Sequence, residues 1–206
     1  MNSDDRKNIQ RIIELGATAV GTGLVHGSGG NISVRAHDGE SFWITGSGTW
    51  FDRLTVEDFG RVALIGDVLA GAKPSSEWKM HQHIYQARPD VNAVVHLHPQ
   101  HSVLLDGLGH QIRFFTLDDA LYVKSVGTVP YHPNGATQLA VEVAQQMDDH
   151  NCVVMRNHGC ACAGEDLEMA FRRAVLLEQA ATNTYRALLL GDQHSAFPDG
   201  VELTHA

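Results

Sequence analysis

Two histidines one residue apart, His96-Leu97-His98, close the strand-like run Asn92-Ala93-Val94-Val95, and no other feature limits the fold as tightly. Strand side chains alternate between faces, so His96 and His98 point the same way. A third histidine, His158, sits in the turn that follows Val153-Val154-Met155-Arg156-Asn157 and precedes Gly159. If that second strand ends beside the first, three imidazoles meet. Three protein ligands with an open fourth position make a catalytic zinc arrangement, whereas closed structural sites use four. Taken alone, the pair reads as exposed polar residues at a strand end. The rest of the chain reverses that reading.

The 206 residues are read as one domain, 1–206, large enough for its own core, with the segment from about 191 left without an assigned fold. A formal charge of -9, with 13 histidines uncounted, argues against nucleic acid or an anionic membrane as partner, because neither would meet a basic stripe. A small anionic ligand held by backbone N–H groups stays open. No apolar run approaches membrane-spanning length, and Met1-Asn2-Ser3-Asp4-Asp5-Arg6-Lys7 leads into helix-forming sequence rather than a signal-peptide core. Three cysteines, Cys152, Cys160 and Cys162, suit a reducing cytoplasm, which is the expected location. Cys160 and Cys162 raise a Cys/His metal cluster with His158, but structural zinc uses paired Cys motifs, so they read as small buried strand residues.

Apolar spacing predicts a helix from about Asn8 to Thr22, ended by a run of glycines, then short strands over Asn31–Arg35, Ser41–Thr45 and Arg61–Ile65, with Val68 and Leu69 after a turn. Pro74-Ser75-Ser76-Glu77 reads as a helix start, with a serine N-cap and an early carboxylate, followed by Trp78–Arg88. The strand Asn92–His98 follows. Helices are predicted over Ala136–Met147 and Glu165–Leu190, with strands Cys152–Met155 and Cys160–Ala163 between them. Gln100–Val126 carries no clear period. Strands and helices mix irregularly, which predicts one layered α/β domain rather than a regular doubly wound sheet.

Three glycine- and hydroxyl-rich turns carry further chemistry. His26-Gly27-Ser28-Gly29-Gly30-Asn31-Ile32-Ser33 can aim successive N–H groups at one anion, Thr45-Gly46-Ser47-Gly48 is a similar turn, and Ser75-Ser76 stands at a helix N-terminus. Each alone reads rather as an ordinary turn or cap; together they offer one anion several donors without a lysine cluster. Glu77 follows the serines, as a helix-dipole carboxylate or as a base between anion pocket and metal. His81 and His83 cannot chelate together from a helix and read as bystanders, with His81, one turn after Glu77, the nearer to the site.

In this order and spacing, Gly27-Ser28-Gly29-Gly30-Asn31-Ile32-Ser33-Val34-Arg35, Thr45-Gly46-Ser47-Gly48, Pro74-Ser75-Ser76-Glu77, His96-Leu97-His98 and Asn157-His158-Gly159 resemble the class II aldolase/adducin family, most of all its L-fuculose-phosphate aldolase type. The resemblance implies a three-layer α/β/α fold around a mostly antiparallel sheet and a homotetramer with active sites at subunit interfaces. It implies that His96, His98 and His158 bind Zn2+, with Mn2+ or Co2+ as alternatives, and that Glu77 serves as acid/base and as a metal ligand when substrate is absent. Ser28, Gly30, Asn31, Ser47, Gly48, Ser75 and Ser76 would hold the phosphate of a phosphorylated sugar. The implied reaction cleaves a ketose 1-phosphate to dihydroxyacetone phosphate and a small aldehyde through a metal-stabilised enediolate.

Departures from the family pattern fall in the aldehyde half. Counting back from Pro130-Tyr131 puts Asp119 where fuculose-phosphate-type aldolases carry an interface tyrosine, and Tyr122 lies about one turn on. Asn134 stands where an aromatic is expected before Gly135, and Leu203-Thr204-His205-Ala206 brings no tyrosine. Asp119 and Tyr122 are therefore the candidates for a second acid, with roleless surface residues the alternative for each, and an aldehyde other than L-lactaldehyde is expected. Other chemistries of the scaffold stay open: decarboxylation of a 3-oxo-tetronate 4-phosphate, dehydration of methylthioribulose phosphate, and 4-epimerisation of ribulose phosphate, against which Glu rather than Asp at position 77 argues. Two readings without turnover are a sugar-phosphate binding protein and an adducin-like scaffold, the latter expected to lack the metal histidines.

Overall fold

The computed structural model describes residues 1–198, 200 and 201. Eight strands, β1 (Gly30–Arg35), β2 (Ser41–Thr45), β3 (Phe59–Ala63), β4 (Val68–Gly71), β5 (Ala93–Leu97), β6 (Val126–Val129), β7 (Cys152–Met155) and β8 (Gly159–Gly164), form one sheet in the order β4-β3-β2-β1-β5-β8-β7-β6. Every neighbouring pair is antiparallel except β6 with β7. Among the described residues, five α-helices accompany them: α1 (Ser3–Gly21), α2 (Trp78–Ala87), α3 (Gln100–Gly107), α4 (Thr137–Gln146) and α5 (Leu167–Leu189).

Alternation along the strands builds two cores. Ala93, Val95 and Leu97 of β5 join Ile9 and Ile12 of α1 and Ala174 and Leu177 of α5. Val94 faces the other way, into a cluster with Met80 and Ile84 of α2 and Leu139 and Val143 of α4. The result is a three-layer α/β/α arrangement. By the same period, His96 and His98 fall on the α2/α4 side, just where that apolar layer ends. The three cysteines are buried and free; Cys160 and Cys162 pack into the α1/α5 core as expected.

Several elements differ from the sequence reading. Helix α1 begins five residues before Asn8, because Asn2 caps it by accepting the Asp5 N–H, with Asp4 and Asp5 complementing the helix dipole. Neither serine caps α2: Glu77 occupies the cap position, and Ser75 Oγ receives its N–H only at 3.4 Å. The unreadable stretch contains the eight-residue α3, a π-helical turn over Asp119–Val123, and β6. Past α5 the chain returns along this stretch. The Arg113 guanidinium donates to the carbonyls of Asp192 and Ser195, and Phe197 N–H to that of Phe114 at 2.6 Å. Leu203-Thr204-His205-Ala206 lies outside the described residues.

Candidate metal centre

The sheet register assembles the site. Antiparallel pairing puts Asn31 of β1 directly across from His96, and β8 flanks His96 on its other side. His158 comes from the β7–β8 turn, where Asn157 adopts the left-handed region at φ 55° that asparagine tolerates better than most residues. Gly159 makes room for the rings. A Cβ there would lie 2.5 Å from the Leu97 oxygen, 2.7 Å from His98 Cδ2 and 2.9 Å from His96 Cε1. Gly30 plays a matching part at the start of β1, where a side chain would overlap the His96 carbonyl.

The three imidazoles converge. Their ligand nitrogens all lie within 4.8 Å of one another, with ring centroids 4.9–5.1 Å apart. His96 Nδ1 is 2.8 Å from the Cys160 carbonyl, which can only accept, so Nδ1 carries the hydrogen and Nε2 presents a lone pair. That lone pair faces His98 Nε2 at 3.1 Å. Burial holds all three rings below the ordinary histidine range: His98 is pushed down to about 4, and His96 is lowered well below 6.5 as well, its neighbouring histidines adding to the effect. Burial also lowers His158, against an opposing pull from Glu77. Neutral rings are the form that binds a metal.

Glu77 lies beside the cluster. Its Oε1 accepts the Gly135 N–H at 2.6 Å, and its Oε2 is buried without a hydrogen-bond partner, 3.9 Å from His158 Nε2. An orphaned carboxylate oxygen beside three neutral imidazoles leaves negative charge uncompensated, which a divalent cation would neutralise. Three imidazole nitrogens suit a borderline ion such as zinc.

The anion turns are partly drawn together. Ser47 N–H donates to the Lys73 carbonyl at 2.9 Å and Ser75 N–H to that of Thr45 at 3.1 Å, so Ser47-Gly48 and Ser75-Ser76 lie on paired segments leading into Glu77. Ser47, Gly48, Ser76 and Ser28 are exposed, whereas Ser75 and Asn31 are buried. Ser76 Oγ donates to Asn134 Oδ1 at 3.2 Å, tying the second loop to the Gly135 segment that holds Glu77.

Asp119, the other candidate for a second acid, lies inside its own segment. It is fully buried, and its Oδ2 accepts the N–H groups of Phe115 and Thr116, so the carboxylate closes its own turn. Tyr122 is half-buried, its ring 4.7 Å beneath the Arg172 guanidinium carbon and packed against the α1/α5 core. His81, read as a bystander, turns out to be buried and engaged at both nitrogens. Nε2 lies 2.5 Å from Asn31 Oδ1 and Nδ1 2.6 Å from Ser33 Oγ, which is itself 2.7 Å from Tyr85 Oη. The spacing Glu77, His81, Tyr85 on one helical face was the available signal.

The chain is similar to known proteins. The family model described as the class II aldolase and adducin N-terminal domain matches residues 10–185. An L-fuculose phosphate aldolase of Methanocaldococcus jannaschii is 35% identical over 166 residues, covering 81% of this chain and 89% of that protein. A 3-oxo-tetronate 4-phosphate decarboxylase of Pectobacterium atrosepticum is 31% identical over 196 residues, covering 93% of this chain and 88% of the relative. A solved L-fuculose 1-phosphate aldolase structure superposes with a TM-score of 0.87 at 31% identity, over 97% of this chain and 92% of the other.

Proposed function

Since the chain belongs to the class II aldolase and adducin family, we propose that it is a zinc-dependent aldolase that cleaves a ketose 1-phosphate to dihydroxyacetone phosphate and a small aldehyde. The observation that carries this reading is the buried, partnerless Oε2 of Glu77 beside the triad His96, His98 and His158. When bound by those histidines, the ion supplies Lewis acidity that stabilises negative charge developing beside the substrate carbonyl. Glu77, pinned through Oε1 by the Gly135 N–H, uses Oε2 to move a proton at the carbon alpha to that carbonyl. Asn31, Ser28, Ser47, Ser75, Ser76 and the backbone of Gly30 and Gly48 hold the phosphate. The second proton, on the hydroxyl whose carbon–carbon bond breaks, passes through Tyr122, offered across the interface of a homotetramer to a neighbouring copy. Asp119, sealed under its turn, keeps that segment in shape.

A second reading, decarboxylation of a 3-oxo-tetronate 4-phosphate, is favoured by the similarity to the decarboxylase over nearly the whole chain. Both reactions leave charge beside a carbonyl and use the same histidines and phosphate turns. The test screens zinc-loaded protein with dihydroxyacetone phosphate against a panel of aldehydes, alongside 3-oxo-acid phosphates, with His96→Ala and His158→Ala in parallel. Stoichiometric zinc, an aldol product, and loss of both in each variant are expected. Release of carbon dioxide without any aldol product selects the second reading. Full turnover by a zinc-free variant, or wild-type protein without zinc, sinks both.

A further inference from the structure

Behind Asn31, proposed above as a phosphate ligand, runs a buried line of polar groups with no part in the chemistry above: His81, Ser33 and Tyr85. We infer that His81 is a positioning residue for the proposed phosphate site: it fixes the Asn31 side-chain amide so that its N–H2 group, and not its oxygen, meets the substrate phosphate. This rests on the proposal that Asn31 is a phosphate ligand.

Hydrogen counting gives the line a direction. Asn31 presents Oδ1 to His81 Nε2, and an amide oxygen can only accept, so Nε2 holds the ring hydrogen and Nδ1 is left to accept. Ser33 then donates its own hydrogen to His81 Nδ1. His81 is fully buried and kept neutral, so it carries one ring hydrogen, which must sit on Nε2 and donate to Asn31 Oδ1. With Oδ1 occupied, both Nδ2 hydrogens are available; Nδ2 makes no hydrogen bond to any described residue. Asn31 pairs directly with His96 in the sheet and shares its face, so those donors sit beside the histidine triad.

The reversed line would aim the amide oxygen at the anion, where two negative partial charges repel. An asparagine free to rotate offers the donor only part of the time. One fixed by His81 offers it always, and discrimination for a phosphorylated over an unphosphorylated sugar depends on that. A histidine serves here because burial prevents a second proton from spoiling the direction, while both nitrogens stay bonded.

The test compares wild type, His81→Phe, which keeps a flat ring but no donor, and His81→Gln, whose amide can donate to Asn31. Inorganic phosphate is titrated calorimetrically into the zinc-loaded and zinc-stripped chain, separating binding in the turns from binding through the metal. His81→Phe is expected to weaken phosphate in both states by roughly 10- to 100-fold, the size of a hydrogen bond to a charged group. His81→Gln should recover most of this, with zinc content equal in all three. For a phosphorylated substrate, KM should rise in His81→Phe while kcat changes little, the signature of lost uniform binding. A folded His81→Phe that binds phosphate like wild type overturns the inference and leaves the proposed function standing. Wild type that binds no phosphate without zinc overturns the anion pocket itself, and the inference with it. Should His81→Phe fail to fold, ring 15N shifts of wild-type protein decide: hydrogen on Nε2 is expected, and hydrogen on Nδ1 refutes the assigned direction.

Discussion

The ring hydrogen of His96 is committed to the Cys160 carbonyl, and one oxygen of Glu77 to the Gly135 amide, so each offers one remaining atom to the same space. That division separates holding a metal from moving a proton. Glu77→Gln keeps an oxygen for Gly135 and leaves the three histidines intact, so zinc content should persist. Exchange of the carbon-bound proton of dihydroxyacetone phosphate with deuterated solvent, followed by NMR, should fall by about 10²–10⁴-fold. Exchange at the wild-type rate would remove Glu77 from the chemistry. The convergence of His96 and His98 was legible because strand period alone fixes their shared face. The place of His81 was not. Its partners Asn31 and Ser33 are about fifty residues away, and only the packing of α2 over β1 brings them within reach.

At the level of elements, the segment between α3 and β6 resisted sequence reading for physical reasons. Helix α3 spans only eight residues, Leu104 on it and Leu108 just past it are exposed, and the next turn closes from Lys124 N–H to the Asp119 carbonyl, a five-residue spacing that breaks helical period. Strands β1, β2 and β7, each bounded by turn residues or flanked by partners of clear alternation, matched their expected spans more closely. The same segment holds Asp119 and Tyr122, and the fold assigns them different consequences. Asp119→Asn would place an amide N–H2 where the buried Oδ1 has no partner, so it should lower stability to denaturant by about 1–3 kcal/mol. Its effect on kcat should be small once the protein is folded. Tyr122→Phe keeps the ring under Arg172 and should leave stability nearly unchanged while lowering turnover by about 10²–10⁴-fold. Unchanged turnover would move the second acid to another residue.

For the molecule as a whole, the buried histidines set how stability and metal affinity respond to acid. His81 is pushed down to about 3 and His98 to about 4 from an ordinary 6.5, with His96 and His158 lowered as well. Below pH 6.5 the unfolded chain takes up protons that the folded chain refuses, so unfolding binds protons and stability falls as pH falls. The contribution is fully present above pH 6.5 and is lost progressively toward pH 3–4. Between pH 6.5 and 5, above the carboxylate range, His81 alone accounts for roughly 2 kcal/mol. Zinc-stripped protein should therefore lose several degrees of Tm across that window, and His81→Gln should show a visibly shallower slope. Metal binding follows a different rule, because it is measured on the folded chain. There the rings proposed to hold the metal are already neutral through the pH range where free histidines titrate, so no proton need leave them for zinc to bind. Zinc affinity, measured by competition with a chelator of known pH dependence, should stay nearly flat from pH 8 to 6 and fall only below the range of exposed histidines. An affinity that drops tenfold per pH unit from 6.5 downward would mean that the rings titrate as they do in water, and that the buried triad is not the metal's seat.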